Sequence, residues 1–218
     1  MKRALDLFCK AGGATRGLQN AGYHVTGVDI ELQRNYVGDK FIQADAMTFP
    51  LKGYDFIWAS PPCQGYTELY APGSNHASHP RLIVPMVRRL QQARTPWALE
   101  NVMGAYDEMS ALGHPRMLCG SMFGLGVKHD GKFFQLRRHR LVLTNFQLTR
   151  PKCAHSGAVV GVYGGHARCR AASQGGRKTR DPWNHMKIAS RAMEIDWMTL
   201  GELSEAIPPV YATYVVSG

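Results

Sequence analysis

The sequence predicts an α/β fold, a mostly parallel sheet wrapped by helices, interrupted late in the chain by a small basic insert. Three observations carry this. Short β-rich apolar runs alternate with helical patterns through the first hundred residues, as parallel strands joined by helical crossovers require. At 218 residues the chain can bury one good core and a small appendage, but not two full-sized domains. From about Arg150 the pattern gives way to Gly, Ser, His and basic residues, with turns supplied by Gly157, Gly161, Gly164, Gly165, Gly175 and Gly176.

The elements follow in order. Strands are predicted at Ala4 to Cys9, His24 to Ile30, Phe41 to Ala44, Asp55 to Ala59, Trp97 to Asn101 and Leu141 to Thr144. A helix over Ala14 to Ala21 starts after Gly12-Gly13 and stops at Gly22. Another, Leu82 to Ala93, links the fourth and fifth strands. Regular structure returns with helices at Lys187 to Met193 and Leu200 to Ala206, the latter with Thr199 and Glu202 at capping-box spacing. Pro208-Pro209 ends that helix. The expected division is a main domain of residues 1–149 and 187–218, with 150–186 inserted.

Charge is concentrated. The net charge is +10, and residues 150 to 191 hold nine Lys or Arg against one acid, Asp181, or +8 of the total. Such a patch suits a polyanionic partner. Five cysteines without a framework spacing fit reduced thiols in a cytosolic setting. No run approaches the roughly 18 apolar residues of a membrane span, and an acid at Asp6 interrupts any leader-like start. The expectation is a cytoplasmic protein with no membrane partner, a monomer in preference to an oligomer.

The segment Asp6 to Gly17 follows the first strand and opens the first helix. Glycines there let backbone N–H groups approach a ligand. Asp29, sixteen residues after Gly13, ends the second strand and is placed to accept hydrogen bonds from ribose hydroxyls, and Asp45 ends the third. This set points to a nucleoside-containing cofactor and fits NAD equally well.

Pro61-Pro62-Cys63-Gln64 follows the fourth strand, at the sheet edge where open α/β folds bind ligands. Two prolines stiffen the approach to the thiol; alone, a Pro-Cys pair more often marks a buried cysteine beside a rigid turn. Thirty-seven residues on, Glu100-Asn101-Val102 ends the fifth strand, one crossover away. Cys63 and Glu100 then face one pocket. In extended chain Arg138 and Arg140 of Gln135-Leu136-Arg137-Arg138-His139-Arg140 share a face, and forked guanidinium groups suit phosphates and base carbonyls.

Together, Asp6 to Gly17, Pro61 to Gln64, Glu100 to Val102 and Gln135 to Arg140 resemble, in order and spacing, the DNA (cytosine-5) methyltransferase family. The likeness is nearest to its compact bacteriophage and prophage members. It covers about residues 4–149 and resumes near 186–216. It implies a Rossmann-like S-adenosylmethionine-dependent methyltransferase fold in which the insert is a target-recognition region. S-adenosylmethionine is then the cofactor and double-stranded DNA the partner, in a prokaryotic or phage-infected cell. By that resemblance Phe8 stacks on the cofactor adenine, Asp29 binds the ribose, Asp45 binds the adenine amino group, and Asp6, Gly12, Gly13, Ile30, Ala46 and Pro61 complete the cofactor set. Cys63 attacks cytosine C6, Glu100 contacts N3 and the exocyclic amine, and Arg138 and Arg140 complete the catalytic set. A free thiol has a pKa near 8.5, so Arg138 or Arg140 is expected to raise the thiolate fraction. Cytosine C6 is inaccessible in a duplex, so the base must be flipped out; Gly65 to Pro80 reads as the loop that closes over it. Gln64, Arg81, Arg168, Arg170, Arg177 and Lys178 are the expected DNA contacts.

Three departures from the family pattern stand out. Lys10 replaces the first glycine of the cofactor turn, Gln135 lies one residue early relative to the arginines, and Pro208-Pro209-Val210-Tyr211 stands where Gly-Asn-Ser is usual. The short insert predicts a site of about two to four base pairs, since one small module covers about 3 bp. Cys153-x-His155 with His166-x-x-Cys169 could supply four zinc ligands, but the spacing is irregular, and the expectation is a site set without metal. Competing readings are a tRNA cytosine-5 methyltransferase, an inactive DNA-binding protein of the same fold, and an NAD-dependent enzyme, which leaves Cys63 and Glu100 unexplained.

Overall fold

The computed structural model describes residues 1–66, 79–149, 152–164, 166–170 and 185–218, with the backbone alone at 166 and 168–170. Its elements are β1 (Lys2–Leu7), α1 (Gly13–Asn20), β2 (Tyr23–Asp29), β3 (Lys40–Gln43), β4 (Phe56–Ala59), α2 (Ile83–Gln91), β5 (Trp97–Asn101), α3 (Tyr106–Ser110), β6 (Arg116–Leu118), β7 (Gly126–His129), β8 (Lys132–Leu136), β9 (Arg140–Thr144), β10 (Ala158–Tyr163), β11 (His166–Arg170), α4 (His185–Met193), α5 (Leu200–Glu205) and α6 (Pro209–Ser217). Every predicted strand is present within about two residues of its expected ends, the usual uncertainty of such boundaries.

Seven strands form the main sheet in the order β3-β2-β1-β4-β5-β9-β6. The first five are parallel; β9 runs antiparallel to β5, and β6, antiparallel to β9, runs in the direction of the first five. Strand order reverses between β1 and β4, which opens a crevice beyond their C-terminal ends, the usual ligand position in such sheets. Period-two alternation divides the core into two layers. Ala4, Phe56 and Trp58 face α1, α6 and the second sheet; Leu5, Leu7, Ile57 and Ala59 face α2 and α3. Helix α2 answers with Ile83, Met86, Val87 and Leu90, a single buried stripe.

The insert is more ordered than its composition suggested. A second sheet, β11-β10-β8-β7, joins the β7–β8 hairpin to strands from both sides of Gly164. It begins at Gly126, ahead of residue 150, so the described part of 150–186 extends a sheet already started. Its signal was present in the sequence: Asp130-Gly131 has positive φ at both residues, 47° and 72°, as a tight hairpin turn requires. Val160, Val162 and Ala167 join the same core layer as Trp58. Helix α6 was also unforeseen. Pro208-Pro209 stops α5, but Pro209 then occupies the first turn of the next helix, where a missing N–H costs nothing. The capping box of α5 is complete in both directions, Glu202 N to Thr199 Oγ1 at 3.3 Å and Thr199 N to Glu202 Oε2 at 2.7 Å.

Candidate active site at the sheet switch point

The loop after β1 and the loop after β4 flank the crevice. Phe8 and Lys10 have φ of 60° and 45°, so the chain keeps at Lys10 the left-handed backbone that glycine adopts freely. What holds it is Asp29, whose two carboxylate oxygens accept from Lys10 N at 3.0 Å and Glu31 N at 3.1 Å. Lys10 Nζ adds an exposed ion pair to Glu31. Asp29 is buried while the neighbouring Ile30 is 69% exposed, an acceptor and an apolar face side by side. Asp6 is buried; Thr15 Oγ1 donates to its Oδ2 at 2.6 Å, its Oδ1 has no partner, and burial raises its carboxyl pKa to about 7. Asp45 is exposed, with Oδ1 accepting from Met47 N, and Ala46 is buried beside it.

Gly13 and Gly17 have a packing role. A Cβ on Gly13 would lie 2.5 Å from the Ile207 carbonyl oxygen, and one on Gly17 would lie 2.0 Å from that of Pro209. These glycines let the C-terminal segment approach α1, and Thr213 Oγ1 donates to Gly17 O at 2.8 Å.

On the other side of the crevice, β4 and β5 pair in parallel with Ala59 opposite Leu99, which brings Ser60 beside Glu100. The Ser60 side chain hydrogen-bonds the Glu100 carboxylate. Asn101 donates from Nδ2 to Pro61 O at 2.9 Å and accepts Val102 N at Oδ1. Glu-Asn-Val thus clamps the Pro-Pro-Cys loop through its asparagine. Ser60 was not singled out from the sequence, and Asn101 was named only within the Glu100-Asn101-Val102 motif, with no role given to it.

Arg140, first residue of β9, pairs Nε with Glu100 Oε1 at 3.0 Å, both side chains largely buried. Burial raises the Glu100 pKa; Arg140, the Ser60 hydroxyl and Arg138 offset part of that. Burial and then Glu100 raise the Cys63 thiol, and Arg140 pulls it back. The expected gain in thiolate from neighbouring cations is therefore outweighed in this arrangement. Arg138 is buried and points elsewhere, with Nη1 donating to Val162 O and Nη2 to Ser204 O, the latter at 2.6 Å. Tyr211 Oη donates to its backbone carbonyl. It ties β10 and α5 to the loop before β9, while Arg140 alone reaches Glu100.

Gln64 is exposed. Arg81 is engaged: Nη2 meets Glu108 Oε2 at 2.7 Å, Nη1 donates to Gly65 O, and its guanidinium lies 4.4 Å from the centre of the Tyr66 ring. Most of the loop expected to close over a base, 67–78, lies outside the described residues, as do Arg177 and Lys178 and the side chains of Arg168 and Arg170.

An open sheet of this order, with its loops converging at the β1/β4 switch point, is a Rossmann-like fold. Two solved structures match over 99% of this chain and 97% of their own: a DNA modification methyltransferase encoded within an Escherichia coli prophage, with TM-score 0.63 and 13% identity, and the Dnmt2 methyltransferase of S. pombe, with TM-score 0.58 and 12% identity. At these identities the likeness is one of fold. No protein-family model and no curated protein matches the sequence. Among the described residues no helix is long and apolar enough to cross a membrane.

Proposed function

We propose that the chain is an S-adenosylmethionine-dependent methyltransferase that methylates C5 of cytosine in double-stranded DNA. The observation that carries this is the buried Glu100–Arg140 pair beside Cys63 at the end of β4, one parallel crossover apart. The likeness to the prophage DNA modification methyltransferase and the basic charge after residue 150 support the choice of DNA, with the second sheet and residues 150–186 as the recognition element.

The cofactor fits the crevice residues. The unpartnered buried Asp6 Oδ1 can accept from a polar donor, Asp29 retains acceptor capacity for ribose hydroxyls, and exposed Ile30 with Phe8 offers an apolar face for an adenine. When bound, S-adenosylmethionine supplies an electrophilic methyl group. Cys63 adds as thiolate to C6 of a flipped cytosine, and Glu100 contacts N3 and the exocyclic amine, where its raised pKa suits holding a proton at N3. The resulting electron density makes C5 nucleophilic. Loss of the C5 proton after methylation, with elimination of Cys63, restores the aromatic ring and the free thiol.

Transfer of label from the methyl-labelled cofactor tests this. Duplex DNA should accept it, with 5-methylcytosine as the product, and tRNA should not. Labelling of tRNA alone would replace the DNA reading with an RNA one, and labelling of neither would overturn both.

A further inference from the structure

We infer that Cys119, His139, Cys153 and His155 form a closed site for a structural zinc ion. Their ligand atoms all lie within 4.8 Å of one another. Cys119 follows β6, His139 sits between Arg138 and Arg140 at the entrance to β9, and Cys153 and His155 lie in the segment leading into β10.

The ligand atoms are spaced closely enough for one ion to reach all four. Zn–S bonds of about 2.3 Å and Zn–N bonds of about 2.0–2.1 Å give ligand-to-ligand edges of about 3.3–3.8 Å. Here Cys119 Sγ lies 3.3 Å from His155 Nε2, His139 Nε2 lies 3.2 Å from His155 Nε2, and Cys153 Sγ lies 3.8 Å from His139 Nε2. Cys153 Sγ lies closer to His155 Nε2, at 2.8 Å, than a tetrahedral edge requires. His155 Nε2 therefore meets two sulfurs and a nitrogen while holding at most one proton. A dication at the centre satisfies every lone pair at once, and two thiolates with two neutral imidazoles balance its charge.

The surroundings match a thiolate site. Ser121 Oγ donates to Cys119 Sγ at 3.3 Å and lies 3.5 Å from Cys153 Sγ, the kind of outer hydrogen bond that orients and tunes ligand sulfurs. With four protein ligands no position is left for water or substrate, so the ion is structural. Cys153 and His155 were half of the set considered from the sequence. Their partners are Cys119 and His139, which flank strands that only the fold brings near. Such an ion would fix three points together: the end of β6, the arginine segment that supplies Arg138 and Arg140, and the entry to the second sheet.

Metal content tests this independently of any methyl transfer, so its failure and that of the proposed function are separable. The full chain, purified without chelator, should carry about one zinc per molecule by mass spectrometric elemental analysis, as a four-ligand site binds one ion. Zinc should fall at least fivefold in Cys153→Ser and His155→Ala, and chelation should lower the unfolding temperature of the wild type. Cobalt(II) exchanged into the wild-type protein should give the intense visible absorption of tetrahedral thiolate coordination, a readout that needs no variant to fold. A wild-type chain that takes up neither zinc nor cobalt, variants that retain full zinc, or a Cys119–Cys153 disulfide in freshly isolated protein would each overturn the site.

Discussion

Cys63 is held up by burial and by Glu100 and held down by Arg140, so its ionisation reports the charges of the site. The direction of each change follows from Coulomb's law. A pKa above the ordinary thiol value means that alkylation by iodoacetamide, followed at the Cys63 peptide, should have its midpoint on the alkaline side of an exposed cysteine. Glu100→Gln removes a negative neighbour and should shift that midpoint down; Arg140→Ala removes a positive one and should shift it up. Equal midpoints in all three proteins would remove Glu100 and Arg140 from the vicinity of the thiol. At this scale the sequence was informative. Cys63, Glu100 and Arg140 were legible because each lies at or just beyond the end of a strand of readable pattern. Arg138 and Arg140 looked alike in sequence, and only the carbonyls of Val162 and Ser204, brought in from distant segments, separate them.

Among the elements, α1 and α6 depend on an absence of side chains. Gly13 and Gly17 lie four residues apart on α1, and a Cβ at Gly17 would sit 2.0 Å from a backbone oxygen of Pro209, which cannot rotate away. Gly17→Ala should therefore lower stability by about 3 kcal/mol, the upper part of the range for overpacking, as measured by denaturant unfolding. In an unpacked helix the same change would stabilise by about 1 kcal/mol, so the sign alone decides whether α6 docks here. Gly13 was read from the sequence as a cofactor residue, and Gly17 only as the end of the same segment. Their packing role was hidden because α6, apolar in composition and opening on Pro208-Pro209, gave no amphipathic period to read. The β7–β8 hairpin was missed although Asp130-Gly131 announced it. The strands beyond Arg150 were obscured by glycines and basic residues and acquire their order by pairing, β10 with β8 in parallel and β11 with β10 antiparallel.

Across the whole molecule, two sheets share one core layer, and Arg138 is the polar fastener between them. Its guanidinium joins the loop before β9 to β10 and to the end of α5. Arg138→Ala strips donors from two carbonyls and leaves a cavity, and should cost about 3 kcal/mol. Amide exchange should quicken in β8 and β10 ahead of β1 and β4; uniform loosening would argue against a fastening role. The parallel half of the main sheet was legible because each strand buries both faces or alternates cleanly. The second sheet was not, because its strands come from separate stretches of chain.

The central claim remains that Cys63 forms the bond to the base at this switch point. Methyl transfer from labelled cofactor to duplex DNA, measured for the wild type and Cys63→Ala alongside cofactor binding by calorimetry, tests it most directly. The variant should transfer no detectable methyl yet bind the cofactor within about threefold of the wild type, a difference under about 1 kcal/mol. Methylation by the variant, or an equal collapse of its cofactor affinity, would contradict it.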